Sequence, residues 1–351
     1  MKELNDRQLI IQQFIRLNPG TKRKFVLSHV NNSLDKKFST PTIGRDIDDL
    51  LKRGLIQRQG LGGHVIYIET PRSALLKEIN VEDYFSRDLD AREIVYKKFN
   101  FEIFRELKGL FTKEESKKLN KLSHTYQERV KKLSPTIVKK EIERLVIDFC
   151  WKSSQIEGNT YSLIDAEILI KRNQEAKGHT KDEATMILNH KKAFNFVYDK
   201  QHDFKSIFIK DIENLHSLLI DDLGITKGFR SSLVGITGTR YKPLDNQYQI
   251  REAVEEMIKI INAGNDPLEQ SLIAALMIAY IQPFEDGNKR TSRLLSNAIL
   301  IANNFCPLSY RSIEEGNYKK AMLLFYETNN ISLFKELFVQ QFIFSVDNYF
   351  L

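Results

Sequence analysis

Cysteine is scarce in this chain of 351 residues. Cys150 and Cys306 lie far apart and neither belongs to a CxxC pair, so neither a disulfide framework nor a zinc site is expected; both read as core thiols. Long apolar runs are also missing. No segment approaches about eighteen uninterrupted apolar residues, so no membrane-spanning helix and no membrane partner are expected. Met1-Lys2-Glu3-Leu4-Asn5-Asp6 lacks the apolar stretch of a signal peptide, which makes the cytoplasm the expected address. Low-complexity stretches are absent, and no repeated strand pattern occurs between about 80 and 345. What is present is ordinary globular material, 42% hydrophobic and 28% charged, long enough for two or three compact units.

The net charge of +7 would suit an anionic partner, but the excess reads as spread along the chain. Lys117-Lys118, Lys131-Lys132 and Lys139-Lys140 fall on helical patterns and read as solvated faces. Residues 5 to 69 read as a small helical unit ending in a hairpin. Asn5 is an N-cap, and Leu9, Ile10, Phe14 and Ile15 share one helical face. Ser39-Thr40-Pro41 opens a helix with Ile43, Ile47, Leu50 and Leu51 at helical spacing, stopped by Gly54. Leu55 to Gln59 and His64 to Ile68 then flank the turn Gly60-Leu61-Gly62-Gly63. Three helices and a hairpin resemble a winged helix-turn-helix, a module that commonly places its last helix in the DNA major groove. Arg45, Lys52, Arg53 and Arg58 could meet phosphates, whereas Asp46, Asp48 and Asp49 on the same helix would repel them. DNA binding through residues 1–70 therefore stands beside a protein-docking or purely structural role. Thr70-Pro71-Arg72 marks the expected boundary, followed by a helical linker region over 71–139 and a helical domain over 140–345.

Ile142, Leu145, Val146, Phe149 and Cys150 form an apolar stripe on a helix that continues through Trp151 toward Gly158. The next helix starts near Thr160, with Ser162 and Asp165 in a capping arrangement. Residues 230–250 mix β-formers with Gly235, Gly238 and Pro243, which suits an exposed hairpin or an extended loop.

The stretch Ile281-Gln282-Pro283-Phe284-Glu285-Asp286-Gly287-Asn288-Lys289-Arg290-Thr291-Ser292-Arg293 is a loop entering a helix N-terminus. Backbone N–H groups of Gly287, Asn288 and Lys289 can converge on an anion there, where the helix dipole favours negative charge. Arg290 and Arg293, three apart, are expected to form a fork for phosphate oxygens. Asp286 supplies a hard oxygen for Mg²⁺ held chiefly by nucleotide phosphates. An ordinary Asp-Gly-Asn turn with surface arginines is the plain alternative, but metal ligand, anion cradle and guanidinium pair within one helical turn favour a Mg-nucleotide site.

The stretch resembles the Fic family signature HPFxDGNGRxxR at seven of its nine fixed positions, departing at Gln282 and Lys289. The resemblance covers about 140 to 340 and implies an all-helical core with a β-hairpin flap. It further implies an enzyme that transfers AMP from ATP, with Mg²⁺, to a Ser, Thr or Tyr hydroxyl of a protein. Ser153-Ser154-Gln155-Ile156-Glu157-Gly158 resembles the family's inhibitory motif on a helix near 141–158. There Glu157 would pair with Arg293 and block the γ-phosphate, while a helix C-terminus capped by Gly158 is equally compatible with the local sequence. Val234, Gly235, Ile236, Thr237, Gly238 and Tyr241 resemble the flap that holds a target segment by strand-like pairing.

Both departures bear on chemistry. Gln282 stands where the resemblance places the catalytic histidine, and an amide cannot act as a general base near neutral pH; such a loss lowers rate by roughly a hundred- to ten-thousand-fold. Lys289 replaces a glycine of the anion cradle, and Asn288-Lys289-Arg290 resembles the Doc branch, which transfers the γ-phosphate. Doc-like chains usually lack the second arginine and the inhibitory helix, so nucleotidyl transfer, impaired by Gln282, is the leading expectation. A Doc-like phosphotransferase and a catalytically dead regulator that binds nucleotide or DNA are the alternatives. The protein target and the oligomeric state, a homo-oligomer included, stay open.

Overall fold

The computed structural model describes residues 4–351, so Met1 to Glu3 of the stretch without signal-peptide character lie outside it. The chain divides into two compact units, Met1–Glu78 and Ile79–Leu351. The 71–139 stretch expected as a linker is thus shared between them, and its larger part belongs to the second unit. Charge divides unevenly too. Residues 1–78 hold 14 Lys and Arg against 8 Asp and Glu, a net +6 of the chain's +7, so the excess is not spread along the sequence.

In the smaller unit, α1 (Asp6–Leu17) starts at a capping box: Asn5 accepts from the Gln8 N–H, and the Gln8 side chain accepts from the Asn5 N–H. Its buried stripe is Gln8, Ile11, Gln12 and Ile15; Leu9, expected on that face, is 47% exposed. The stripe is turned because Gln8 can go inward, where its Nε2 donates to Asp49 at 2.7 Å. Helix α2 (Arg23–Ser33) and α3 (Thr40–Lys52) close the core, with Ile43, Ile47 and Leu50 fully buried. Ser39 caps α3, and Gly54, at φ +68°, turns the chain out of it. Strands β1 (Ile56–Gln59) and β2 (Ile66–Glu69) pair antiparallel with Ile56 opposite Glu69. A single 3₁₀ turn at Gly62–His64 delays β2 by two residues relative to the expected His64 start. Tyr67 also pairs with Thr21, which ties β2 to the α1–α2 connection. Helix α4 (Pro71–Leu76) follows.

The larger unit is helical: α5 (Val81–Ser86), α6 (Lys113–Lys132), α7 (Pro135–Ile156), α8 (Leu163–Arg172), α9 (Lys181–Asp199), α10 (Ile209–Leu219), α11 (Gln247–Ala263), α12 (Pro267–Ile281), α13 (Asn288–Ala302), α14 (Glu315–Thr328) and α15 (Ser332–Asn348). Helix α12 is apolar on every side and buried from Ser271 to Ile281, as a helix enclosed by others must be. It packs chiefly on α13, which also meets α9 and α10, while α7 lies on α9 and reaches α13 and α14. The expected start of α7 near 141 moves back to Pro135, because Ser134 caps it and proline suits the first turn. At its far end Gly158, at φ +97°, lets the chain turn sharply after Glu157. Ser162 caps α8 by accepting from the Asp165 N–H.

Residues 230–246 take the extended-loop form rather than that of a hairpin, and 247–250 already belong to α11. The described residues hold one two-stranded sheet, β1 with β2, and this segment contributes only an isolated bridge from Lys242 to Lys98. Side chains hold it in place of a ladder: Arg230 donates to the carbonyls of Gln282, Ser232 and Leu244, and the Tyr241 hydroxyl donates to the Tyr280 carbonyl at 2.8 Å. No helix among the described residues is long and apolar enough to cross a membrane.

Candidate functional site

The loop between α12 and α13 is built around two buried side chains. Gln282 ends α12 in the left-handed conformation, φ 53°, and Gly287, at φ 78°, precedes α13. A Cβ at Gly287 would sit 3.2 Å from Ile220 Cγ2 and 3.5 Å from His216 and Arg290, so glycine answers both the dihedral and the crowding. Phe284 is buried and stacks face to face on His216, with centroids 3.6 Å apart. The Asn288 side chain closes the loop, accepting from the Phe284 N–H and donating to the carbonyl oxygens of Phe284 and of the Gln282 side chain.

Gln282 is therefore engaged at both ends of its amide. Its Oε1 accepts from Asn288 at 3.0 Å, and its Nε2 donates to the Ala279 carbonyl at 2.6 Å. Among the described residues no histidine lines the adjoining pocket. His216 lies behind the loop with Nε2 3.0 Å from the Asp286 carbonyl; burial, more than any neighbouring charge, pushes it down to about 4, so it is neutral. It supports Phe284 and faces no substrate space.

Arg290 and Arg293 do not form an exposed fork. Although three residues apart, they diverge: Arg290 runs under the loop to Asp286 at 3.0 Å and the Leu219 carbonyl, whereas Arg293 reaches α7 and is fully buried. Arg293 Nε donates to Ser153 Oγ and its Nη2 to the Ser153 carbonyl, each at 2.9 Å, and Nη1 donates to Tyr318 at 3.3 Å. Ser153 Oγ in turn lies 2.9 Å from His190 Nε2, while His190 Nδ1 donates to the Met186 carbonyl. Burial holds His190 at about 3, in the neutral form that accepts from Ser153.

Glu157 terminates this chain of contacts. Its Oε1 is 2.9 Å from Arg293 Nη2 and its Oε2 is 2.9 Å from Lys289 Nζ. Burial alone would push the carboxyl up, but Arg293 and then Lys289 outweigh it and hold Glu157 down at about 2. The helix-end and ion-pair roles of Glu157 coexist: Gly158 makes the turn and Glu157 points inward. Lys289, expected beside phosphates, is thus drawn to a carboxylate.

Glu157, Gln282, Asp286, Lys289, Ile236 and Tyr318 are among the residues around a pocket of about 380 Å³, within the usual range for small-molecule sites. No side chain caps α13 at Gly287, and the first N–H groups of a helix have no partner within it. Val234, Gly235, Ile236 and Thr237 border this pocket, but two other flap residues serve the scaffold. Tyr241 is buried and stacks on Tyr280 and Tyr326, and the Gly238 carbonyl accepts from Arg92. Asp286 keeps its side chain 69% exposed beside the pocket, with one oxygen on Arg290. Sequence reasoning missed His190, Tyr318 and Arg230, which lie on other elements at spacings that follow no local pattern.

A model of the Fic/DOC family matches residues 206–300, which run from the approach to α10 to the end of the motif helix. Fic-1, a protein adenylyltransferase of Caenorhabditis elegans, is 26% identical over 168 residues, 46% of this chain and 32% of that protein. The protein adenylyltransferase Fic of Nematostella vectensis is 27% identical over 195 residues, 52% and 43% of the two. The chain thus spans less than half the length of these curated relatives. Two solved structures share the fold: a fragment of C. elegans Fic-1 (TM-score 0.55, 20% identity, 67% of this chain and 70% of that one) and a Fic domain containing signaling protein from Bacteroides thetaiotaomicron (0.55, 19%, 66% and 95%). The helix pair α12–α13 and the loop between them thus fall within the stretch that matches the Fic/DOC family model.

Proposed function

We propose that this chain is an auto-inhibited transferase of AMP from ATP to a hydroxyl of a protein, slow or silent while Gln282 occupies the base position. One observation carries the auto-inhibited part: Glu157 is locked by Arg293 and Lys289 at 2.9 Å each, at the edge of the pocket entered by the N-terminus of α13. The free N–H groups of Gly287, Asn288 and Lys289 suit phosphate oxygens. A carboxylate pinned on the two cations opposes the terminal phosphate of a triphosphate more than it opposes a diphosphate. Displacing Glu157 would hand Arg293 and Lys289 to that phosphate.

Asp286 fits Mg²⁺ of the kind held mainly by substrate phosphates, since one accessible carboxylate oxygen is enough for that mode. The ion would neutralise phosphate charge. In the transfer, the target hydroxyl oxygen bonds to the α-phosphorus, the α–β phosphoanhydride breaks, pyrophosphate leaves, and the hydroxyl proton needs an acceptor. Gln282 offers an amide already bonded at both ends. That saturation is also what favours the second reading, a regulator that binds nucleotide without turnover. A Doc-like transfer of the γ-phosphate is less supported, because Lys289 is engaged by Glu157.

The test is label transfer from [α-³²P]ATP with Mg²⁺ to the protein or a lysate, comparing the native chain with Gln282→His/Glu157→Gly. Label only in the double variant is expected. Label from [γ-³²P]ATP alone would turn the reading to Doc-like transfer, and tight nucleotide binding with no label from either would leave the regulator.

A further inference from the structure

The smaller unit holds nearly all of the chain's excess charge, and its fold sorts that charge by direction. Helix α3 carries three acids, which from sequence alone would repel a polyanion. Two are paired. Asp46 is buried against Arg7, Nε to Oδ2 2.7 Å, and Asp49, its side chain 39% exposed, accepts from Gln8 at 2.7 Å and from Arg53 at 2.8 Å. The outward face keeps Arg45, Asp48 and Lys52, preceded by exposed Lys36 and Lys37 and flanked by exposed Arg58 on β1. Among the described residues, Lys36, Lys37, Arg45, Lys52 and Arg58 enter no salt bridge.

A second feature points the same way. Gly44 sits inside α3, where glycine is unfavourable. A Cβ there would lie 2.7 Å from Arg23 Nη2, so the glycine lets the Arg23 guanidinium lie across the helix, with its buried Nε unpartnered. Arg23 begins α2, whose Lys22-Arg23-Lys24 start has no side-chain cap and opposes the helix dipole. Three bases on an uncapped helix start are an arrangement that a phosphate would relieve.

We propose that residues 4–78 bind double-stranded DNA, with the outward face of α3 entering the major groove and Arg23, Lys36, Lys37, Arg45, Lys52 and Arg58 on phosphates. A helix of 13 residues, about 20 Å long, fits the DNA major groove, whereas the major groove of A-form RNA is too narrow to admit it. This binding is independent of the transfer chemistry.

The test is fluorescence anisotropy of the full chain with a labelled mixed-sequence DNA duplex of about 24 base pairs, titrated with KCl. Six engaged bases correspond to a slope of log K against log[KCl] of about −5. Arg45→Ala/Lys52→Ala should reduce that slope by about 2, and Asp48→Asn should tighten binding several-fold. Gly44→Ala, which displaces only Arg23, should weaken binding while the melting temperature holds or rises. Lys139→Ala/Lys140→Ala on α7 should change nothing. An unchanged slope in the α3 double variant, an equal loss in the α7 pair, or tighter binding of duplex RNA or a polyglutamate peptide would overturn the assignment.

Discussion

Replacing Glu157 by Gln keeps the shape of the side chain and removes its charge from between Arg293 and Lys289. The folded carboxyl sits at about 2 against an ordinary 4.5, a difference of roughly 2.5 units, which at 1.36 kcal/mol per unit is on the order of 3 kcal/mol of native-state stabilisation. The side chain is only 16% exposed, so little of this is screened. Loss of one partner from a buried pair typically costs about 3–5 kcal/mol, the same scale. Because the folded value is depressed, this stability is present above about 4.5 and disappears as pH falls through about 2. Glu157→Gln is therefore expected to unfold about 3 kcal/mol more easily at pH 7, with the difference from wild type narrowing steadily below about pH 4.5. The chain has one tryptophan, Trp151, on α7 with its Nε1 donating to the Tyr161 carbonyl. Its fluorescence in urea reports the larger unit separately from the smaller one. A penalty of the same size at pH 7 and pH 3 would mean that Glu157 acts by packing, and one under about 0.5 kcal/mol that the ion pair contributes nothing; either result would refute the electrostatic argument.

Lys289→Gly should free Glu157 only partly, since the fully buried Arg293 remains; calorimetry should find ATP affinity between those of wild type and Glu157→Gly, and equality with Glu157→Gly would make Lys289 the dominant lock. Ser153→Ala removes the acceptor of Arg293 Nε and the donor to His190, and should destabilise the larger unit by about 1–3 kcal/mol in urea. The Ser153 variant should also loosen Glu157, read as a larger ATP-induced rise in melting temperature than wild type shows; stabilisation equal to wild type would limit Ser153 to a structural role.

Local chemistry made much of the fold legible. Asn5, Ser39 and Ser162 announce helix starts because a side-chain oxygen three residues from a free N–H needs no distant partner. Seven signature residues in the loop and the helix after it marked the α12–α13 connection as the candidate site, since a left-handed turn, a buried Phe284 and a helix start are short-range requirements. The 230–250 segment was half legible: its glycines and Pro243 marked an excursion from helix, but the choice between hairpin and loop depended on Arg230 and Tyr241 finding carbonyls across the core.

Side-chain direction belonged to tertiary structure. The spacing of Arg290 and Arg293 suggested one fork, yet α10 offered Leu219 to the first and α7 offered Ser153 and Glu157 to the second. Lys289 was an extra charge for phosphate until the end of α7 supplied a carboxylate at 2.9 Å. The acids of α3 read as three free negative charges until Arg7, Gln8 and Arg53 paired two of them. A sequence states which charges a chain carries, and local rules state which turns it takes. Which charges neutralise one another depends on distances of a few ångströms between residues tens to hundreds of positions apart, and only the packed fold sets those.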